Sequence, residues 1–273
     1  KLNFNKKIKL LNQKNLKKIK IDNKTINIIN IESQKSNKKK LKLKFRSNYI
    51  KRCFDVAFEL IKNQYTNKLI NGPINKKTFL NKKFLGVTEY IAHKFNQKKF
   101  GMLIYNKKLS VSPLTTHLPI KLVSKKITKK FIEEKVIIID NFFRKQLRLV
   151  PKIAVTGLNP HCESILKINE DKTIIAPAVK ILKKRGFSIF GPFSADTIFL
   201  KQNRENYDVV VGMYHDQVLT PIKTLKEYDA INITLGLPFY RISPDHGPNK
   251  KMIKKNASNP LSLLRALEFL DKK

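Results

Sequence analysis

The sequence predicts an α/β fold, with helices covering both faces of a parallel or mixed sheet. Three observations carry the prediction. From residue 68 onward, short β-branched runs alternate with segments of helical periodicity. One run, Val209-Val210-Val211, is apolar at consecutive positions, as a strand buried on both faces requires. The 273 residues, 41% of them hydrophobic, suffice for a sizeable core in one large domain or two lobes.

The elements follow in chain order. The chain opens at Lys1 in a polar stretch with no evident strand, and the lysine cluster 33–45 is its low-complexity patch. Residues 47–64 read as a helix with Ser47 as N-cap, because Ile50, Phe54, Ala57, Phe58 and Ile61 recur at three-to-four spacing. Residues 68–73 (KLINGP) form a short strand meeting a Gly-Pro turn, and Thr88 caps a helix over 88–95. Residues 101–117 read as a hairpin and 125–147 as one long helix. A strand and loop cover 151–161, a helix ended by Gly186 covers 173–186, and a strand and loop cover 187–199. A strand over 229–238 and a helix over 259–270 complete the series.

Composition narrows the function classes. No apolar run approaches the length of a membrane span, and no signal-peptide pattern opens the chain. Cys53 and Cys162 are the two cysteines, too few for a disulfide framework and in keeping with a reducing cytoplasm, so a cytoplasmic location is expected. The net charge of +37 invites a nucleic-acid reading. Yet only eight of the 57 basic residues are arginine, and the lysines are scattered among asparagine and isoleucine. A solvated, lysine-biased surface that attracts phosphorylated substrates is the preferred reading, with nucleic acid disfavoured.

The chemistry-bearing residues sit at strand ends. His117 ends SVSPLTTH, His161 ends IAVTGLNPH and His215 ends VVVGMYH. If those strands are parallel, the three histidines point to one rim of the sheet, where α/β proteins bind ligands. Three imidazoles with an open position would make a catalytic metal site, but their wide sequence spacing is not a local metal signature, and histidines hydrogen-bonding loops remain the alternative. Lys223, Asn232 and Arg241 follow on successive segments as a candidate phosphate cradle, with surface decoration as the bland reading. No phosphate loop and no GxGxxG occurs, so any NAD would bind without the usual fingerprint.

From about residue 68 the chain resembles the 4-hydroxythreonine-4-phosphate dehydrogenase family of vitamin B6 biosynthesis. The resemblance lies in the ordered blocks NGPINKKTF, GVTEYIA, TTHLPI, GLNPH, GPFSADTIF, MYHDQVLTPIK, NITLGLPFYR and DHG. It implies the two-lobed fold of the isocitrate and isopropylmalate dehydrogenases, with residues 1–88 plus 236–273 in one lobe and 89–235 in the other. It also implies a homodimer with active sites shared between subunits. Its divalent-metal ligands (Zn, Mg, Co or Mn) fall on His117, His161 and His215. Its substrate-binding positions fall on Thr88, Lys223, Asn232 and Arg241, and Asp196 and Asp216 match catalytic carboxylates. The implied reaction is oxidation by NAD (or NADP) and decarboxylation of 4-phosphohydroxy-L-threonine.

The chain also departs from the family. Val87 stands where the family has a histidine, NPHCES replaces NPHAGE, and DHGP replaces DHGT. The family's opening strand and GDPxGIGPE loop are not found, and a lobe lacking that strand is expected to expose a sheet neighbour. An inactive relative that binds phosphate or nucleic acid, or an enzyme for a related phosphorylated hydroxy-amino acid, is therefore the alternative. A metal-dependent phosphohydrolase is a weaker one.

Overall fold

The computed structural model describes residues 7–13, 24–33, 39–75, 79–80, 83–163, 169–249, 252, 255 and 257–273. The chain divides into two compact units, Lys1–Lys62 and Asn63–Lys273.

In the smaller unit, β1 (Ile8–Leu11) and β2 (Ile26–Ile29) form a parallel pair, with Ile8 opposite Ile26. These strands lie in the stretch where composition gave no sign of one. Helix α1 (Lys39–Lys62) begins inside the lysine cluster, so Ser47 is an interior residue and not the cap expected for it. Lysine has high helix propensity, which lets the helix extend N-terminally past its apolar stripe. Phe54 and Phe58, one turn apart on that stripe, are buried with ring centroids 5.4 Å apart.

The larger unit is built on one eight-stranded sheet in the order β3-β10-β9-β4-β5-β8-β6-β7. Its strands are β3 (Lys68–Ile70), β4 (Gly101–Tyr105), β5 (Ser110–Thr115), β6 (Ile153–Thr156), β7 (Ile189–Phe193), β8 (Val209–Tyr214), β9 (Ile231–Leu235) and β10 (Tyr240–Pro244). β5, β8, β6 and β7 run parallel, whereas β5/β4, β4/β9 and β9/β10 are antiparallel. β3 and β4 precede and follow the lobe boundary expected near residue 88, and both belong to this sheet.

β8 explains the apolar run. Val209, Val211 and Met213 enter one core, with Ile132, Val136 and Ile139 of α3 (Lys129–Phe142) and Leu182 of α4 (Ala176–Lys184). Val210 enters the other, with Val218, Leu219 and Ile222 of α5 (His215–Lys226). Side chains alternate across a strand, so a strand covered on both faces has no polar positions to show.

Several boundaries differ from expectation. The helix expected over 125–147 starts at Lys129, where the Thr128 side chain accepts a hydrogen bond from the Phe131 amide, and it ends in a π-helical turn through Leu147. α2 (Val87–Lys94) is capped by Gly86, and Thr88 lies within it. β10 and α5 were not anticipated. α5 carries Pro221 in its interior, which weakens a helical reading of that segment. The last helix, α6 (Leu261–Asp271), packs Ala266 and Leu270 into the first core.

Candidate active site

The parallel order β5-β8-β6 fulfils the condition placed on the histidines. His117 follows β5, His215 is the first residue after β8, and His161 follows β6, all at the same rim.

The rim has two halves. Between β5 and β8 the rings of His117 and His215 lie 6.0 Å apart, and both line a cavity of about 630 Å³. Thr88, Lys223, Asn232 and Arg241 line the same cavity. Between β6 and β7, His161 stands on an exposed loop with its Nδ1 3.8 Å from Asp196. Its backbone is left-handed, as is that of Cys162. Asp171 holds this loop, accepting from the amides of Leu158 (2.7 Å) and Asn159 (3.2 Å) and from the Asn159 side chain (2.8 Å). Gly157 is required here: a Cβ would come within 2.6 Å of both Asp171 and Cys162. Neither His161 nor Asp196 lines the cavity, and among the described residues no three His, Cys, Asp or Glu side chains are grouped to hold an ion.

All three histidines share one feature. Each presents Nδ1 to a carboxylate: His117 to Glu89 (3.4 Å), His215 to Asp216 (2.6 Å) and His161 to Asp196 (3.8 Å). Metal-binding imidazoles commonly have a carboxylate at the other ring nitrogen, which sets the tautomer and raises basicity. The donor chemistry therefore fits a divalent ion. Ser194 donates to Asp196 at 2.6 Å, and this bond, helped by the His161 charge, holds the Asp196 carboxyl below its ordinary pKa.

The cradle is more deeply set. Arg241 is 3% exposed and donates to Asn71 (2.8 Å), Thr234 (2.9 Å) and Thr88 (3.5 Å). Burial pulls its pKa down to about 10, against the supporting charge of Glu89. Thr88 thus serves as an acceptor for Arg241 instead of a helix cap. Lys223 pairs with Asp245 at 2.5 Å, and burial raises the Asp245 pKa although Lys223 opposes it. The Oδ1 of Asn232 is buried without a hydrogen-bond partner among the described residues, and Asn232 lines the cavity. Gln217 of the MYHDQ block ties α5 to β6: it donates to the Gly157 carbonyl and accepts from Thr156 and the Met213 amide.

The residues that sequence reasoning did not single out are Asn71, Glu89 and Asp245. Each stands inside a block already recognised, in NGP, GVTE and DHG, but nothing in its spacing sets it apart from a loop polar residue.

Comparison with known proteins decides the family. A family model described as "Pyridoxal phosphate biosynthetic protein PdxA" matches residues 2–270. The chain belongs to the PdxA family. A 4-hydroxythreonine-4-phosphate dehydrogenase from Sulfurihydrogenibium sp. is 43% identical over 205 residues, covering 74% of this chain and 63% of that protein. The chain thus spans less than two thirds of the length of that PdxA relative. A D-threonate 4-phosphate dehydrogenase from Pectobacterium atrosepticum is 33% identical, covering 80% of this chain and 68% of that protein. Among solved structures, 4-hydroxythreonine-4-phosphate dehydrogenase from Klebsiella pneumoniae aligns with a TM-score of 0.74 at 29% identity, over 97% of this chain and 83% of that one. Isocitrate dehydrogenase from Methylococcus capsulatus, at 13% identity, 80% and 70% coverage and a TM-score of 0.51, shares the fold alone. The expected fold class of the PdxA chain is therefore found.

Proposed function

We propose that this chain is a metal- and NAD-dependent dehydrogenase that oxidises and decarboxylates 4-phosphohydroxy-L-threonine in vitamin B6 biosynthesis. One observation carries the reading: a histidine pair and a cationic, amide-bearing cradle share one cavity. The names of the most similar relatives support it.

When bound, a divalent ion would stabilise charge on the substrate's hydroxyl oxygen and NAD would accept the hydride. His117, His161 and His215 would hold the ion, with Zn, Mg, Co or Mn all compatible with imidazole and water donors. Lys223, Asn232 and Arg241 would bind the phosphate and so fix the distance from the anion to the reacting carbon. Arg241 is held rigid by Asn71, Thr234 and Thr88, so little side-chain entropy remains to be lost when substrate binds. Asp216 and Asp196 would orient His215 and His161 through Nδ1. A homodimer would bring the exposed His161–Asp196 pair of one protomer to the cavity of its partner.

Val87 favours a second reading. It is buried and lines the cavity, offering no hydrogen bond where the family has a histidine. That suits a relative acting on D-threonate 4-phosphate or a similar phosphorylated hydroxy acid, as named for the Pectobacterium protein. The deciding experiment is NADH formation by the purified protein with each of the two substrates and a divalent ion. Turnover of 4-phosphohydroxy-L-threonine at least tenfold faster supports the first reading. Preference for D-threonate 4-phosphate supports the second, and no NADH from either refutes both.

A further inference from the structure

Glu89 has no part in the cradle or the histidine trio, yet its carboxylate faces one of the histidines. Oε1 accepts from the Thr116 hydroxyl at 2.9 Å and faces His117 Nδ1 at 3.4 Å. The same carboxylate is the acidic charge that supports two buried cations, Arg241 of the cradle and Lys135 of α3. Its other oxygen, Oε2, is buried with no hydrogen-bond partner among the described residues. Gly86 keeps the space open. A Cβ there would come within 2.5 Å of Glu89 Oε2 and 2.7 Å of His117 Cε1, so any larger residue would drive the pair apart. The backbone has been kept bare at the one point where these two side chains meet.

From this placement we infer that Glu89 is a positioning residue: it accepts a hydrogen bond from the Nδ1–H of His117 and so fixes the tautomer whose Nε2 carries the lone pair. The physical need is plain. A neutral imidazole has two tautomers, and only one presents a lone pair at Nε2. A carboxylate at Nδ1 selects that tautomer before any ligand arrives. The same carboxylate also favours the charged form of Arg241. The inference rests on the metal reading for its purpose, but its structural claim concerns the metal-free protein.

The test uses Glu89→Ala, Glu89→Asp and Gly86→Ala in the full chain. Two-bond ¹H–¹⁵N spectra of the metal-free protein report the tautomer of His117 directly. The wild type is expected to show His117 protonated at Nδ1. Glu89→Ala and Gly86→Ala should shift it toward Nε2 protonation. Glu89→Asp keeps a negative charge near Arg241 and Lys135 but withdraws the carboxylate, and it should shift the tautomer too. Co²⁺ affinity by competition titration should fall about 10–100-fold in the variants, the range for loss of an outer-shell partner. An unchanged His117 tautomer in a folded Glu89→Asp protein would overturn the inference. If the wild type bound no Co²⁺ while the tautomer still followed Glu89, the metal reading would fall and the positioning role would stand.

Discussion

The two halves of the rim use the same pair of groups in opposite surroundings. At β5/β8, His117 and Glu89 are 25% and 18% exposed, and His117 lines the cavity. At β6/β7, His161 and Asp196 are 76% and 58% exposed, and the loop carrying His161 is held by Asp171. The difference teaches that the inner pair is set by one protomer's own packing. The outer pair acquires a dry, low-dielectric setting only when another surface closes on it. The proposed homodimer supplies that surface.

The largest expected effect tests this division. His117→Ala and His215→Ala should each cost more activity and Co²⁺ affinity than the 10–100-fold typical of an outer-shell change. His161→Ala is expected to match them if the outer half completes the site across the dimer. A loss within about twofold, in steady-state kinetics and metal titration, would mark His161 as a solvated bystander and break the comparison. Light scattering during size-exclusion chromatography checks that a dimer forms.

Next in size is Arg241→Lys. A lysine cannot satisfy Asn71, Thr234 and Thr88 from one position, so buried acceptors lose partners at a cost of about 1–3 kcal/mol. KM for the phosphorylated substrate should rise more than kcat falls, and urea unfolding should show the lost stability.

Lys135 gives a pH-dependent effect on the inner half. It is buried, donates to the Phe100 carbonyl at 3.2 Å, and burial pushes its pKa down to about 8 although Glu89 opposes the shift. Between that value and the ordinary 10.5, the unfolded chain holds a proton that the folded chain does not. Stability should therefore climb as pH rises from 8 to 10.5, by on the order of 2–3 kcal/mol. Lys135→Met should flatten that climb in denaturation curves taken across the range. A wild-type profile that falls with pH there would contradict the assignment.

The smallest effect belongs to the outer half. Asp196→Asn should leave the melting temperature unchanged, since both members of its pair are solvated. It should weaken Co²⁺ binding by about tenfold if the dimer encloses His161.

Much of the fold was legible because burial on both faces writes itself into sequence. Val209–Val211 and the periodic apolar positions of α3 announce their elements without any partner. Less legible were β1, exposed along Ile8–Leu10, β2, which alternates exposed and half-buried, and α5, disguised by Pro221. The cavity residues Thr88, His117, His215, Lys223, Asn232 and Arg241 could be named from ordered blocks through the family resemblance, and of these His117 and His215 follow strand ends. Glu89, Asn71 and Asp245 could not, since their roles are relations to residues far away in the chain.

Sequence alone determined the alternation of strands and helices, the family, and which imidazoles, amide and cations are the candidates for the chemistry. Those follow from side-chain type and order, which the chain carries locally. Only the tertiary structure decided that His117 and His215 face one another while His161 stands apart, and that one carboxylate serves both His117 and Arg241. Such facts depend on strand order and on the few ångströms left open at Gly86, which no local pattern encodes.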